Sequence, residues 1–90
     1  MADPLEIIVD GTPNPNAVKL TLNRTVATQG KTYRDAAAAD TAWAKALLGI
    51  PGVVQVFAVN NFISVTKTPA AEWDAIIPQA EQALKQVFGA

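Results

Sequence analysis

The groups that could do chemistry in this sequence are eight carboxylates, seven basic side chains, and two prolines alternating with two asparagines just ahead of a lysine. The acidic residues Asp3, Glu6, Asp10, Asp35, Asp40, Glu72, Asp74 and Glu81 are scattered, and no close pair has the pattern of a glycosidase or a metal cluster. The stretch "DGTPNPN" from Asp10 superficially resembles an oxygen-ligand calcium loop, but its acidic spacing fails the EF-hand pattern. The bases are equally dispersed, with no glycine-rich phosphate loop near any of them. Cysteine and histidine are both absent. That removes disulfides, thiolate and imidazole metal sites, Cys or His nucleophiles and the usual near-neutral general base. With no recognisable set of acid, base and nucleophile, the sequence reads as non-enzymatic, with no metal and no cofactor.

Binding residues are easier to nominate. In "GTPNPNAVKL", Pro13 and Pro15 fix φ and make the residues before them extended, while Asn14 and Asn16 can satisfy nearby backbone groups. The loop therefore serves as a stiff entry to the following strand. It could also recognise a partner's backbone or carboxylate through Asn14, Asn16 and Lys19, since a pre-ordered loop loses little entropy on binding. A second candidate lies in "VVQVFAVNNFISVTK", two β-rich runs divided by Asn60 and Asn61, residue types that tolerate the left-handed backbone of a tight hairpin. That turn pairs Val59 with Phe62, Ala58 with Ile63, Phe57 with Ser64, Val56 with Val65, Gln55 with Thr66, and Val54 with Lys67. One face then carries Val54, Val56, Ala58, Ile63 and Val65 and belongs to a core. The other carries Phe57, Val59 and Phe62 rimmed by Gln55, Ser64 and Thr66, with the two phenylalanines as diagonal neighbours. Such a patch suits a protein interface. The alternatives are cover by the Tyr33 segment or a dimer mate, or simple exposure.

The elements that must position these residues follow from periodicity. "LEIIV" is a short β-branched run stopped by Asp10-Gly11, and "AVKLTLN" alternates with Val18, Leu20 and Leu22 on one face. The segment "RTVATQGKTYRDAAAAD" is hard to read; it allows a short extended piece and a helical turn capped by Asp35. "DTAWAKALLGIPG" predicts a helix of about two turns, capped by Asp40 or Thr41 and stopped by Gly49 and Pro51. A final helix opens at Thr68-Pro69 and carries Trp73, Ile76 or Ile77, Ala80, Leu84 and Val87 or Phe88 at helical spacing. Pro78 predicts a kink or a break in it. Trp43 and Trp73 lie on the apolar stripes and read as core.

These elements give an α+β two-layer sandwich, with a four-stranded, largely antiparallel sheet and helices on one face, in the order β-β-α-β-β-α. At 90 residues the chain reads as one domain, residues 1–90. Half of it is apolar and its formal net charge is −1, so no strong field draws nucleic acid or an anionic membrane. The start, "MADPLEII", has no basic region before a long apolar stretch, and no segment approaches the ~20 apolar residues of a membrane span. The chain reads as cytoplasmic.

"TPNPNAVKL", "AKALLGIPGVVQVF", "NNFISVTK" and Trp73 with Pro78 downstream occur in an order and spacing that resembles the Nfu/NifU N-terminal domain family, over Leu5 to Phe88. The resemblance implies an α+β domain acting as an accessory or interaction module in iron-sulfur cluster assembly, with an assembly factor or client as its protein partner. Domains that look like this are typically joined to a domain whose Cys-x-x-Cys pair assembles or carries the cluster. This sequence holds no such pair, so it is expected to act as a stand-alone domain that is not itself a cluster ligand. It also has Thr41-Ala42-Trp43 where family members tend to begin the helix with Ser-Pro-Leu. The alternative to this reading is a peptide or small-ligand binding domain that uses the "TPNPN" loop, Lys19 and a groove beside the sheet.

Overall fold

A computed structural model describes residues 5–88. In chain order the elements are β1 (Ile7–Gly11), β2 (Ala17–Leu22), β3 (Ala27–Tyr33), a 3-10 turn (Ala36–Ala38), α1 (Ala42–Leu48), β4 (Val53–Asn60), β5 (Phe62–Lys67) and α2 (Trp73–Phe88). The strands form one antiparallel sheet in the spatial order β1-β2-β5-β4-β3. The architecture is α+β with the helices on one face, but the sheet has five strands where the sequence predicts four.

The additional strand is β3. Its residues "ATQGKTY" are mostly exposed, so no apolar alternation marks it; its strand state comes from backbone pairing to β4. The pairing is uneven, with Ala27 opposite Asn60 and Lys31 opposite Ala58, so the chain bulges over Thr28 to Gly30.

Alternation elsewhere behaves as the residues dictate. Val18, Leu20 and Leu22 of β2, Val56 and Ala58 of β4, and Ile63 and Val65 of β5 are buried on one face. They meet Trp43, Ala44 and Leu47 of α1 and Ile76, Ala80 and Leu84 of α2 in one apolar cluster. Thr41 caps α1, its hydroxyl oxygen accepting from the Ala44 N–H at 3.4 Å, and Asp35 caps the 3-10 turn through the Ala37 N–H at 2.9 Å. Between α1 and β4, the Val53 N–H donates to the Ile50 carbonyl at 3.1 Å, and Gly52 has φ +96°. Ile50-Pro51-Gly52-Val53 is thus a type II turn, with proline pre-setting the first central residue and glycine supplying the positive φ of the second.

The hairpin register matches the pairing expected from Val59–Phe62 to Gln55–Thr66, and Asn60 takes the left-handed conformation at φ 55°. Beyond Gln55 the expectation fails. A bulge lets Val53, not Val54, pair with Lys67, so Val53 is buried and Val54 is exposed.

The last helix also starts later than expected. The Thr68 carbonyl accepts from the Ala71 N–H at 3.1 Å and closes a separate turn, while the Thr68 N–H is held by the Gly52 carbonyl at 2.9 Å. Glu72 then supplies the first carbonyl of α2, taking the N–H groups of Ala75 and Ile76 at 3.1 and 3.2 Å. The helix runs unbroken through Pro78, so of the two expected outcomes a break does not occur. Pro78 lies in the exposed second turn, where it removes a single bond, the one its N–H would give to Asp74. Trp73, expected in the core, is only half-buried because its indole N–H reaches outward to a loop carbonyl.

Candidate functional site

The sheet face turned away from the helices is built in rows by the register. One row runs Ile8, Thr21, Phe62, Val59 across β1, β2, β5 and β4; the next runs Asp10, Lys19, Ser64, Phe57, Thr32. Phe57 and Phe62 meet diagonally, with ring centroids 6.2 Å apart and planes tilted by 49°. The Lys19 Nζ stands 4.6 Å from the Phe62 centroid, placing a cation on the ring's negative face, a contact worth ~0.5–1 kcal/mol at an exposed site. On the far side of the pair, a Cβ at Gly30 would lie 3.2 Å from the Phe57 ring, so the glycine makes room for it. Arg34, just past β3, donates through Nε to the Gln55 side-chain oxygen at 2.9 Å.

Phe57, Val59 and Phe62 remain half-buried by their own neighbours. Tyr33 does not cover them, since it turns to the opposite face and packs edge-on to Trp43 at 5.7 Å. Ile8, 60% exposed, extends the apolar row to β1. Sequence reasoning missed this residue because it reads the short run "LEIIV", with Glu6 as its one polar position, as a strand without assigning its faces.

The structure brings Phe57, Val59, Phe62 and Lys19 together, and places Asn14 and Asn16 elsewhere. Their loop is braced from within: the Asn14 N–H donates to Thr12 Oγ1 at 3.1 Å, the Asn16 N–H to Asn14 Oδ1 at 2.9 Å, and the Ala17 N–H to the Asn14 carbonyl at 3.0 Å. The Asn16 carbonyl and side-chain oxygen accept from the Lys67 N–H at 2.8 Å and Nζ at 3.1 Å, and the Pro15 carbonyl accepts from Trp73 Nε1 at 3.0 Å. Asn16 is thereby committed to its own chain. Lys67, buried beneath the loop, follows Ile63 and Val65 on the core face of β5 as a polar residue.

A separate concavity of about 460 Å³ lies beside β3, lined among others by Lys31, Tyr33, Asp40 and Trp43. The Tyr33 hydroxyl donates to Asp40 Oδ1. That bond, helped by the positive charges of Lys31 and Lys45, holds the Asp40 carboxyl below its ordinary range. The same bond, with desolvation and the charge on Asp40 adding to it, holds the Tyr33 phenol above its own. Among the described residues no three acidic side chains gather as a metal site, and none of the described helices is long and apolar enough to cross a membrane.

Fold and face together define a two-layer α+β protein with an aromatic patch on the helix-free side of its sheet. The chain belongs to the family described as scaffold protein Nfu/NifU N terminal, which it matches over residues 7–90. It is 33% identical over 81 residues to conserved virulence factor C of Staphylococcus aureus strain bovine RF122 / ET3-1, and 30% identical over 82 residues to the protein of that name in Staphylococcus haemolyticus strain JCSC1435. These alignments cover 88% and 89% of this chain but only 22% of each relative. Among solved structures, the crystal structure of protein SAV1430 from Staphylococcus aureus superimposes with a TM-score of 0.79 at 32% identity, over 88% of this chain and 98% of that one. The solution structure of SeR13 from Staphylococcus epidermidis does so with a TM-score of 0.63 at 30% identity, over 90% and 96%.

Proposed function

We propose that this protein is a non-enzymatic accessory module of iron-sulfur cluster assembly, which engages an assembly factor or client protein through the open face of its sheet. The observation that carries the reading is the Phe57–Phe62 pair, half-exposed on the face the helices leave uncovered and topped by Lys19. An aromatic pair with a polar rim is the composition of an interface centre, where a few such anchors supply most of the binding free energy. Membership of the scaffold family supports the choice of pathway.

Cluster ligation itself does not belong to these residues. These 90 residues hold no cysteine and no histidine, so a cluster handled in their company is cargo whose ligands lie outside them. Anaerobic incubation with iron and sulfide should leave the purified chain colourless, and a stable stoichiometric cluster would overturn this part of the reading.

The interface is tested by comparing partner recovery by the wild type with that by Phe57→Ser plus Phe62→Ser. The expected result is loss of partner from a variant whose circular dichroism is unchanged; equal recovery by the folded variant excludes the face. The second reading, a peptide or small-ligand site, draws its support from the concavity at Tyr33 and Asp40. It predicts chemical-shift changes confined to β3 and the start of α1 when short peptides are titrated.

A further inference from the structure

Phe57 and Phe62 are flanked by two cations on opposite sides. Lys19 is on β2 and Arg34 is just past β3, both anchored toward the face, by the Phe62 ring and by Gln55 respectively. The Nε bond to Gln55 leaves the terminal NH2 groups of Arg34 for a carboxylate. Among the described residues, Asp10 is the carboxylate that the strand pairing places on this face; it stands directly opposite Lys19 on β1, at the outer end of that row. A basic strip on a chain of net charge −1 selects for a partner of the opposite sign.

The register supplies the spacing. Lys19, Ser64, Phe57 and Thr32 form a row across β2, β5, β4 and β3, and Arg34 lies two residues beyond Thr32. Three strand spacings and a two-residue rise put the Cα atoms of Lys19 and Arg34 about 16 Å apart. The rings lie between them. The face is the middle of a sheet, where β5 and β4 are paired on both sides and offer no backbone groups to a visiting strand. The segment that sits there must satisfy its own backbone, and an α-helix does so.

From this geometry we infer that the open face receives an acidic amphipathic helix, with two carboxylates about eleven residues apart flanking apolar residues on one stripe. Eleven residues span about 16.5 Å and return within about 20° of the same side, so Glu-x3-Leu-x2-Leu-x3-Glu sets one carboxylate at Lys19, one at Arg34 and its leucines on the rings. The inference rests on the interface reading above and adds the chemistry of the occupant.

The probe is a synthetic helical peptide of about 16 residues carrying that pattern, with a second peptide in which both glutamates are lysine. Titration into 15N-labelled protein should move the amides of Lys19, Phe57, Phe62 and Arg34, and raising the salt from 50 to 500 mM should weaken binding several-fold. Lys19→Glu plus Arg34→Glu should lose at least tenfold in affinity for the glutamate peptide and gain affinity for the lysine peptide. Absence of binding by the glutamate peptide, equal binding of both peptides by the wild type, or shifts confined to the β3 concavity would overturn the inference. Partner capture separates the two levels. Loss of the partner in Phe57→Ser plus Phe62→Ser with full retention in Lys19→Glu plus Arg34→Glu sinks the acidic helix alone, whereas retention in both sinks the interface reading as well.

Discussion

The ammonium of Lys67 lies 3.1 Å from the side-chain oxygen of Asn16, 51 residues earlier in the chain. It also donates to the Thr68 carbonyl at 3.3 Å and stands 5.6 Å from the Trp73 ring, whose own N–H holds the Pro15 carbonyl. The proline-asparagine loop thus clasps the end of β5 to the start of α2. A buried ammonium deprived of an acceptor loses a charge-assisted bond and keeps its desolvation penalty. Asn16→Ala is expected to lower unfolding stability by about 2 kcal/mol, measured by urea denaturation. Trp73→Phe, which deletes one neutral hydrogen bond and keeps most of the ring, should cost about 1 kcal/mol. Neither change should alter partner recovery through the sheet face.

Gly52 answers to two constraints at once. Its φ is +96°, and a Cβ there would come within 2.6 Å of the Ala71 side chain. Gly52→Ala is therefore expected to destabilise by about 2–3 kcal/mol, with the loss read from the denaturation midpoint at unchanged slope. Gly11→Ala is the control, since nothing lies within 4 Å of a Cβ at that position, and its stability should stay near the wild type.

How much of this was legible depends on what each residue's signal reports. The hairpin from Gln55 to Thr66 could be read because alternation and the Asn60 turn specify the same register. That register also put Phe57, Val59 and Phe62 on one face. Strand β3 could not be read, because an exposed edge strand needs no apolar pattern and its strand state comes from pairing to β4. Arg34 and Ile8 joined the face only once β3 and β1 had places in the sheet. Lys67 was hidden for another reason: a lysine at the end of a strand reads as solvated unless the loop that caps it is known to fold over it. The loop's prolines were visible as stiffness, whereas the object of that stiffness was a contact 51 residues away.

The Tyr33–Asp40 bond predicts a stability profile in pH. Asp40 titrates below its ordinary value of 3.8 in the folded chain, so its contribution is present above that pH and lost as pH falls through the folded value. Tyr33 titrates above 10.0, so its contribution is present below pH 10.0 and lost as pH rises through the folded value. Tyr33→Phe keeps the ring against Trp43 and removes the bond. The stability difference between wild type and Tyr33→Phe should be level from about pH 4 to about pH 10 and shrink at both ends. A difference that stays constant however far the pH falls below 3.8 would show that the Asp40 carboxylate is not the acceptor that matters.

Gly30 offers a way to disturb the candidate interface without touching the residues that form it. Its missing Cβ leaves room for the Phe57 ring at 3.2 Å, and Phe57 in turn meets Phe62. Gly30→Ala must push the ring by a few tenths of an ångström. Gly30→Val adds two methyl groups and must push it further, while β-branched side chains suit a strand position such as this. Global stability is therefore expected to change by less than about 1 kcal/mol in either variant, because the ring is half-exposed and free to move outward. Partner affinity should fall in the order wild type, Gly30→Ala, Gly30→Val, as the ring leaves the geometry that the partner meets. The check pairs thermal denaturation with binding measurements and ring-proton chemical shifts of Phe57. Shifts that move while affinity holds would mean that the position of this ring is immaterial to the interface.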